Sequence, residues 1–151
     1  MAKVSQDKSG RISVLYFISY IIIGMILAII YSIIVVYILT PTVYRSVPAL
    51  DNIDQAIFPL LLVWIGTFFA AKVVRNKYTV DNSGHVAALS TVYVIIFTLL
   101  FLIPSLLVSR INGIEIKRNL TLNILSSVLE VLLFYYFSTV YLREKKINSE
   151  K

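Results

Sequence analysis

Cysteine is absent from this 151-residue chain, and histidine and tryptophan occur once each. Without cysteine the chain can form no disulfide, thiolate metal site or cysteine nucleophile. A single histidine, His85, is too few for a bis-histidine haem or a histidine-rich metal cluster within the chain. No glycine-rich phosphate loop follows a strand pattern. With no acidic cluster either, too few groups remain for acid, base and nucleophile roles together. We therefore expect no cofactor, no bound metal and no enzymatic activity.

Charge is also scarce. Charged residues make up 15% of the chain, where a soluble protein has about a quarter. Hydrophobic residues make up 58%, against roughly 45–50% in a soluble domain, and the mean hydropathy is +0.84. A soluble domain of this size cannot bury so much apolar surface. The composition therefore predicts an integral membrane protein.

Four apolar runs are separated by short polar loops, at about 12–39, 57–74, 86–108 and 120–142. Each has the roughly 17–25 residues that a helix needs to cross a bilayer. Backbone hydrogen-bonding groups must be paired inside the bilayer, and because the runs lack the alternation of β-barrel strands, we expect helices. The first run is too long for the apolar core of a cleaved signal peptide, which has about 7–15 residues. We predict an all-α four-helix transmembrane bundle that forms one domain over residues 1–151, with polar tails at 1–11 and 143–151.

Lysine and arginine are unevenly distributed along the chain. Ten lie in the N-terminal tail, the second loop and the C-terminal tail, and four lie in the first and third loops. By the positive-inside rule both termini are cytoplasmic, in the plasma membrane of a prokaryote. The net charge of +6 and the pI of about 9.6 then indicate contact with anionic lipid headgroups on that side. Aromatic and basic residues do not alternate outside the apolar runs, so no nucleic acid partner is expected.

Tyrosines and loop residues indicate where the spans begin and end. Tyrosines at both ends of the first run and at the end of the fourth fit an aromatic belt at the membrane interface; they are Tyr16, Tyr20, Tyr37, Tyr44 and Tyr141. The acidic run 51–54 is interpreted as helix N-caps, with Pro59 in the first turn of the second helix. Asn112 and Gly113 predict a short hairpin in the third loop.

Small residues recur four positions apart in the first two spans. Gly24, Ala28 and Ser32 form one such row, and Gly66 and Ala70 form another. Small residues at this spacing allow helix backbones to approach closely inside a membrane. The rows are interpreted as contacts within the bundle, or alternatively as a surface for another subunit.

Glu130 is the only ionisable residue well inside any span. A charge at that depth costs several kcal/mol, so we expect a neutral carboxyl group with hydroxyl or carbonyl partners. Helical periodicity places polar neighbours on the same face of the fourth span, and two threonines lie at similar depth in other spans. The candidate polar or proton site is Glu130, Asn123, Ser126, Ser127, Thr98 and Thr67.

Two functions are consistent with these features. The first is a non-catalytic accessory or structural subunit that packs into a larger membrane complex, as short loops, missing cofactor ligands and small-residue rows suggest. The alternative is a small proton- or ion-coupled transporter, acting as an oligomer, that uses Glu130. In the first case Glu130 is a neutral side chain that stabilises helix contacts by hydrogen bonding. In the second it gains and loses a proton.

Overall fold

The structure, a computed structural model, describes residues 2–47, 49–111 and 116–143, and every element in these ranges is helical. The first helix continues without a turn into a π-helical segment that contains Pro41. The elements are α1 (Ala2–Ile34), the π-helical segment (Val35–Tyr44), α2 (Ala49–Lys77), α3 (Ser83–Ile111) and α4 (Ile116–Arg143). The predicted all-helical architecture is therefore confirmed.

Four stretches of the described residues are long and apolar enough to cross a membrane. They are Lys8–Val43, Ile57–Lys77, Ser83–Leu100 and Ile124–Arg143. Each overlaps one of the four apolar runs in the sequence, so the prediction of four helices long and apolar enough to span a membrane is confirmed.

The helices pack in the cyclic order α1, α2, α4, α3. In the described residues, backbone contacts join α1 to α2 and α3, and join α4 to the same two helices. The start of α1 lies beside the start of α3, since the Ser13 hydroxyl donates to the Val86 carbonyl over 3.3 Å. The end of α2 lies beside the end of α4, since Arg75 Nη1 donates to the Tyr141 carbonyl over 2.9 Å. Neighbours in sequence thus run antiparallel, and α1 lies diagonally across from α4.

Buried side chains are concentrated at one end of this bundle, which we call the packed end. It comprises residues 12–20 of α1, 63–74 of α2, 86–94 of α3 and 134–142 of α4. Small and β-branched residues allow close approach there, and Tyr16 and Phe134 are the largest fully buried side chains. The core therefore lies where both chain ends enter the bundle.

The other half of the bundle, which we call the open end, is loosely packed. None of the side chains that the structure describes at 21–47, 57–62, 95–104 and 124–133 is buried. Met25 of α1 is 61% exposed and Leu100 of α3 is 64% exposed. Tyr31 and Phe58 still join α1 to α2 there, with stacked rings whose centroids are 3.5 Å apart.

The start of α2 differs from the prediction. The helix begins at Ala49 and contains Pro59, so the placement of Pro59 in the first turn is wrong and residues 51–54 lie within the helix. The interpretation of 51–54 as helix N-caps is also wrong, because an N-cap residue stands immediately before the helix and not inside it. The hairpin predicted at Asn112 and Gly113 falls outside the described residues.

Candidate functional site

Glu130 is half-buried on α4, inside the apolar stretch Ile124–Arg143. Ser126, one turn earlier on the same helix, donates its hydroxyl hydrogen to Glu130 Oε1 over 2.9 Å. Among the described residues, this is the hydrogen bond that the structure shows for the Glu130 carboxyl group. Both of its residues belong to α4. The contact therefore does not tie α4 to another helix.

Glu130 lines a cleft of about 280 Å³ at the boundary between the packed end and the open end. All four helices contribute to its walls, so the cleft is central to the bundle. Apart from Glu130, the walls are apolar except for the hydroxyl groups of a tyrosine and a threonine. The residues that define it are Tyr20, Gly24 and Ala28 of α1, Leu62 of α2, Thr98 of α3 and Glu130 of α4.

Tyr20 closes the cleft on the side of the packed end. Its ring meets the Phe134 ring edge to face, with centroids 4.7 Å apart. On its other side the ring lies against Gly66, where a Cβ atom would stand 3.0 Å from Tyr20 Cε2. The absence of a side chain at Gly66 is therefore what allows the Tyr20 ring to fit between α2 and α4.

A hydroxyl cluster lies within the packed end. The Tyr16 hydroxyl is 2.9 Å from the Ser138 hydroxyl and donates to the Thr67 carbonyl over 3.4 Å. The Thr67 hydroxyl donates to the Val63 carbonyl of its own helix over 2.7 Å. Tyr16, Thr67 and Ser138 are all fully buried, so the cluster links α1, α2 and α4 across the bundle.

The structure brings together only part of the predicted polar site. Ser126 bonds to Glu130, and Thr98 lines the same cleft. Thr67 instead belongs to the hydroxyl cluster, and Ser127 is half-buried on α4. The side chain of Asn123 falls outside those that the structure describes.

The small residues of the two rows occupy different environments. Gly66 and Ala70 are buried at the packed end, whereas Gly24 and Ala28 line the cleft. At Gly24 a Cβ atom would stand 3.4 Å from Leu62 Cδ2, an ordinary contact distance. Ser32 is exposed, and its hydroxyl donates to the Ala28 carbonyl of its own helix over 2.8 Å.

The aromatic-belt prediction for Tyr16 and Tyr20 is wrong. Tyr16 is 0% exposed and Tyr20 is 8% exposed, because both rings pack against Phe134 inside the bundle. Tyr37, in contrast, is 75% exposed. The sequence contains a pattern that distinguishes the buried tyrosines from Tyr37. Ile12, Tyr16 and Tyr20 follow one another at four-residue steps, which places them on one helix face.

Tyr141 joins α4 to α2 at the surface of the packed end. Its hydroxyl accepts a hydrogen bond of 2.6 Å from Trp64 Nε1, and its carbonyl accepts the bond from Arg75. Its ring also stacks on that of Phe137, with centroids 5.9 Å apart. This pair of bonds fixes the register between α2 and α4.

Among the described residues, no three His, Cys, Asp or Glu side chains come close enough together to hold a metal ion. No protein-family model matches the chain, no curated protein is significantly similar to it, and no solved structure is significantly similar to it.

Proposed function

We propose that the protein is a four-span integral membrane protein that carries a small solute across the membrane in exchange for protons, with Glu130 as the coupling residue. The observation that carries the proposal is the position of the Glu130 carboxyl group. It lines a central cleft to which all four helices contribute. The hydrogen bond shown for it comes from its own helix, which leaves the group facing a space where a solute fits.

The distribution of charge supports an orientation with both termini in the cytoplasm. The basic side chains described next to the packed end are Lys8, Arg11, Lys72, Arg75, Lys77 and Arg143. They lie together because the start of α1, the end of α2, the start of α3 and the end of α4 meet there. Such a basic end is retained on the cytoplasmic side and attracts anionic lipid headgroups, each cation contributing about 1 kcal/mol.

A carboxyl group in this position is suited to proton coupling. Inside a membrane an uncompensated charge costs at least about 2 kcal/mol, so a proton or a cationic solute at the carboxyl group is favoured over the bare charge. The group lines a cleft rather than a sealed core, and such an opening would admit protons and a solute. The group can therefore exchange a proton without breaking a contact between helices.

Infrared spectroscopy of the purified protein across a pH series tests this proposal without knowledge of the solute. We expect a protonated carboxyl band that disappears as the pH rises and that is missing from Glu130→Gln. The matched control is Asp81→Asn, which removes an exposed carboxyl group beside the packed end and should leave that band unchanged. A wild-type spectrum in which Glu130 keeps one protonation state throughout would refute proton coupling.

A second candidate, an accessory subunit of a larger membrane complex, is favoured by the length of the first helix. The candidate span Lys8–Val43 has 36 residues, and its α-helical part up to Ile34 alone extends over about 40 Å at 1.5 Å per residue. The hydrocarbon core is only about 30 Å thick. Tilting of the helix reduces the length that extends beyond the hydrocarbon core. A partner subunit would cover the apolar surface that remains outside the bilayer.

Mass measurement after gentle detergent extraction separates the two candidates. A single chain type, alone or as a homo-oligomer, supports the carrier. A fixed set of different subunits that remain bound through purification supports the accessory role.

A further inference from the structure

We infer that the cleft binds a small monovalent organic cation with an apolar body, such as a quaternary ammonium compound, and that this cation and a proton compete for Glu130. The inference rests on the proposed function, because it assigns the class of solute to the same site. Three features of the cleft point to this ligand: its charge, the character of its walls and its size.

The first feature is an acid with no basic side chain beside it among the described residues that line the cleft. Within the four candidate spans, the basic side chains lie at the packed end, and none occurs in 12–43, 57–71, 86–100 or 124–142. Among the described side chains that line the cleft, the only other titratable group is Tyr20 of α1; α2 and α3 contribute none. When Glu130 loses its proton, the balancing positive charge must therefore come from the bound ligand.

The second feature is the character of the walls. A divalent metal ion takes six or more oxygen ligands or keeps several waters, whereas this cleft offers one carboxyl group and the hydroxyl groups of Thr98 and Tyr20 among mainly apolar side chains. An organic cation does not need such a shell, because its alkyl or aryl groups gain from contact with apolar walls. The rings of Tyr20 and Phe97 also line the cleft, and aromatic rings attract ligand cations of this kind.

The third feature is size. The cleft volume of about 280 Å³ lies at the lower limit of ligand pockets, which range over roughly 300–1,000 Å³. The space exists because Gly24 and Ala28 present little or no side chain to it. Benzyltrimethylammonium, with one aromatic ring and one compact cationic head, is a suitable probe.

Equilibrium dialysis of labelled benzyltrimethylammonium against the full-length protein in detergent tests the inference. We expect saturable binding at pH 8, release of up to one proton for each cation bound, and weaker binding as the pH falls. Where the carboxyl group is mostly protonated, the apparent Kd should rise about tenfold for each pH unit, as linkage of one proton to one cation requires. Neopentylbenzene, the neutral isostere, should not displace the cation.

Two variants and one control distinguish the contribution of the Glu130 charge to cation binding from that of the cleft volume. Glu130→Gln should raise the Kd by at least about tenfold and abolish proton release. Ala28→Leu keeps the carboxyl group but fills the cleft, so it should weaken binding while the infrared titration of Glu130 persists. Asp81→Asn, which removes a distant exposed carboxyl group, should bind like the wild type.

The outcomes separate the ligand class from the carrier function. Binding that is independent of pH in the wild type, or displacement by neopentylbenzene, overturns the inference even if a variant fails to fold. If the cation does not bind while Glu130 still exchanges a proton by infrared spectroscopy, the ligand class is wrong and the carrier proposal stands. If the infrared spectrum shows no exchange, the carrier proposal itself fails.

Discussion

Tyr20 and Gly66 depend on each other at the boundary between the packed end and the cleft. The Tyr20 ring is held on one side by Phe134 and on the other by the Gly66 backbone, and only 8% of the side chain is exposed. A ring confined on both sides has little room to move when an atom is added beside it. Gly24 differs, because its neighbour is the end of the flexible Leu62 side chain.

Alanine substitutions at the two glycines should therefore have opposite effects. At Gly66 the added Cβ atom meets the Tyr20 ring at 3.0 Å, and overpacking of this kind costs about 1–3 kcal/mol. At Gly24 the contact is an ordinary 3.4 Å, and alanine favours the helix by up to about 1 kcal/mol. Thermal unfolding in detergent should show a lower Tm for Gly66→Ala only. Equal Tm values for the two variants would contradict this account of Tyr20 packing.

The buried hydroxyl cluster gives a second prediction for single residues. Tyr16→Phe keeps the ring packed on Phe134 but removes the hydroxyl that contacts Ser138 and the Thr67 carbonyl. Hydrogen bonds between helices inside a membrane contribute about 0.6 kcal/mol on average and up to about 1.7 kcal/mol, so we expect a loss in this range. Tyr37→Phe, at a 75% exposed position, is the control and should leave the unfolding free energy unchanged. A Tyr16→Phe variant as stable as the wild type would show that the cluster adds nothing.

Some residues of the site are predictable from sequence and others are not. Glu130 stands out because one carboxyl group in an apolar run is rare and costly. The tyrosines are ambiguous, because the same side chain suits a membrane interface and a buried aromatic cluster. Thr67 lies at the predicted depth, but its hydroxyl bonds to its own helix, and the helix rotation that decides this depends on contacts with α1 and α4.

At the scale of the elements, helix boundaries depend on local signals that hydropathy does not contain. The apolar run indicates a second span from about residue 57, yet α2 begins at Ala49, because hydropathy does not measure helix propensity and a helix can extend beyond its apolar part. The start of α3 is marked more clearly. Asn82 Oδ1 accepts a hydrogen bond of 3.1 Å from the His85 backbone N–H, which is the usual interaction of an N-cap residue.

Removal of this cap should weaken α3. Asn82→Ala leaves the His85 N–H without its side-chain acceptor, and loss of an N-cap costs about 0.5–2 kcal/mol. Asn82→Asp keeps an acceptor oxygen and adds a favourable charge near the helix N-terminus, so it should be at least as stable as the wild type. Unfolding curves of the three proteins test this. If alanine and aspartate give the same curve, the cap does not contribute.

At the scale of the whole molecule, the four apolar runs are sufficient to predict four spanning helices, because length and hydropathy alone decide this property. The uneven packing along the bundle is not predictable in the same way. All four runs are apolar enough to span a membrane, and the difference between their halves arises from contacts among residues far apart in sequence, such as Tyr16 with Ser138. Lipid and protein neighbours both suit apolar side chains, so periodicity alone does not separate them.

The proposed topology makes a direct prediction for the whole chain. Because basic residues cluster around the packed end, that end should face the cytoplasm. A reporter enzyme that is active only outside the cytoplasm should be silent when fused after Lys151 and active when fused at Asn112. The reverse pattern would overturn the orientation, and activity at both positions would overturn the number of spans.

The contrast between the packed end and the open end also has a mechanical consequence. Helices that are tightly packed at one end and loosely packed at the other can change their tilt by rotating about the packed end. The centre of this rotation lies at the level of Tyr20, Gly66 and Phe134. The part of α1 from residue 20 to its end at residue 34 is about 21 Å long, so a rotation of about 5° displaces its far end by about 2 Å. The same rotation hardly moves Tyr20. Small angular changes would therefore alter the width of the cleft beside Glu130 while the hydroxyl cluster stays intact.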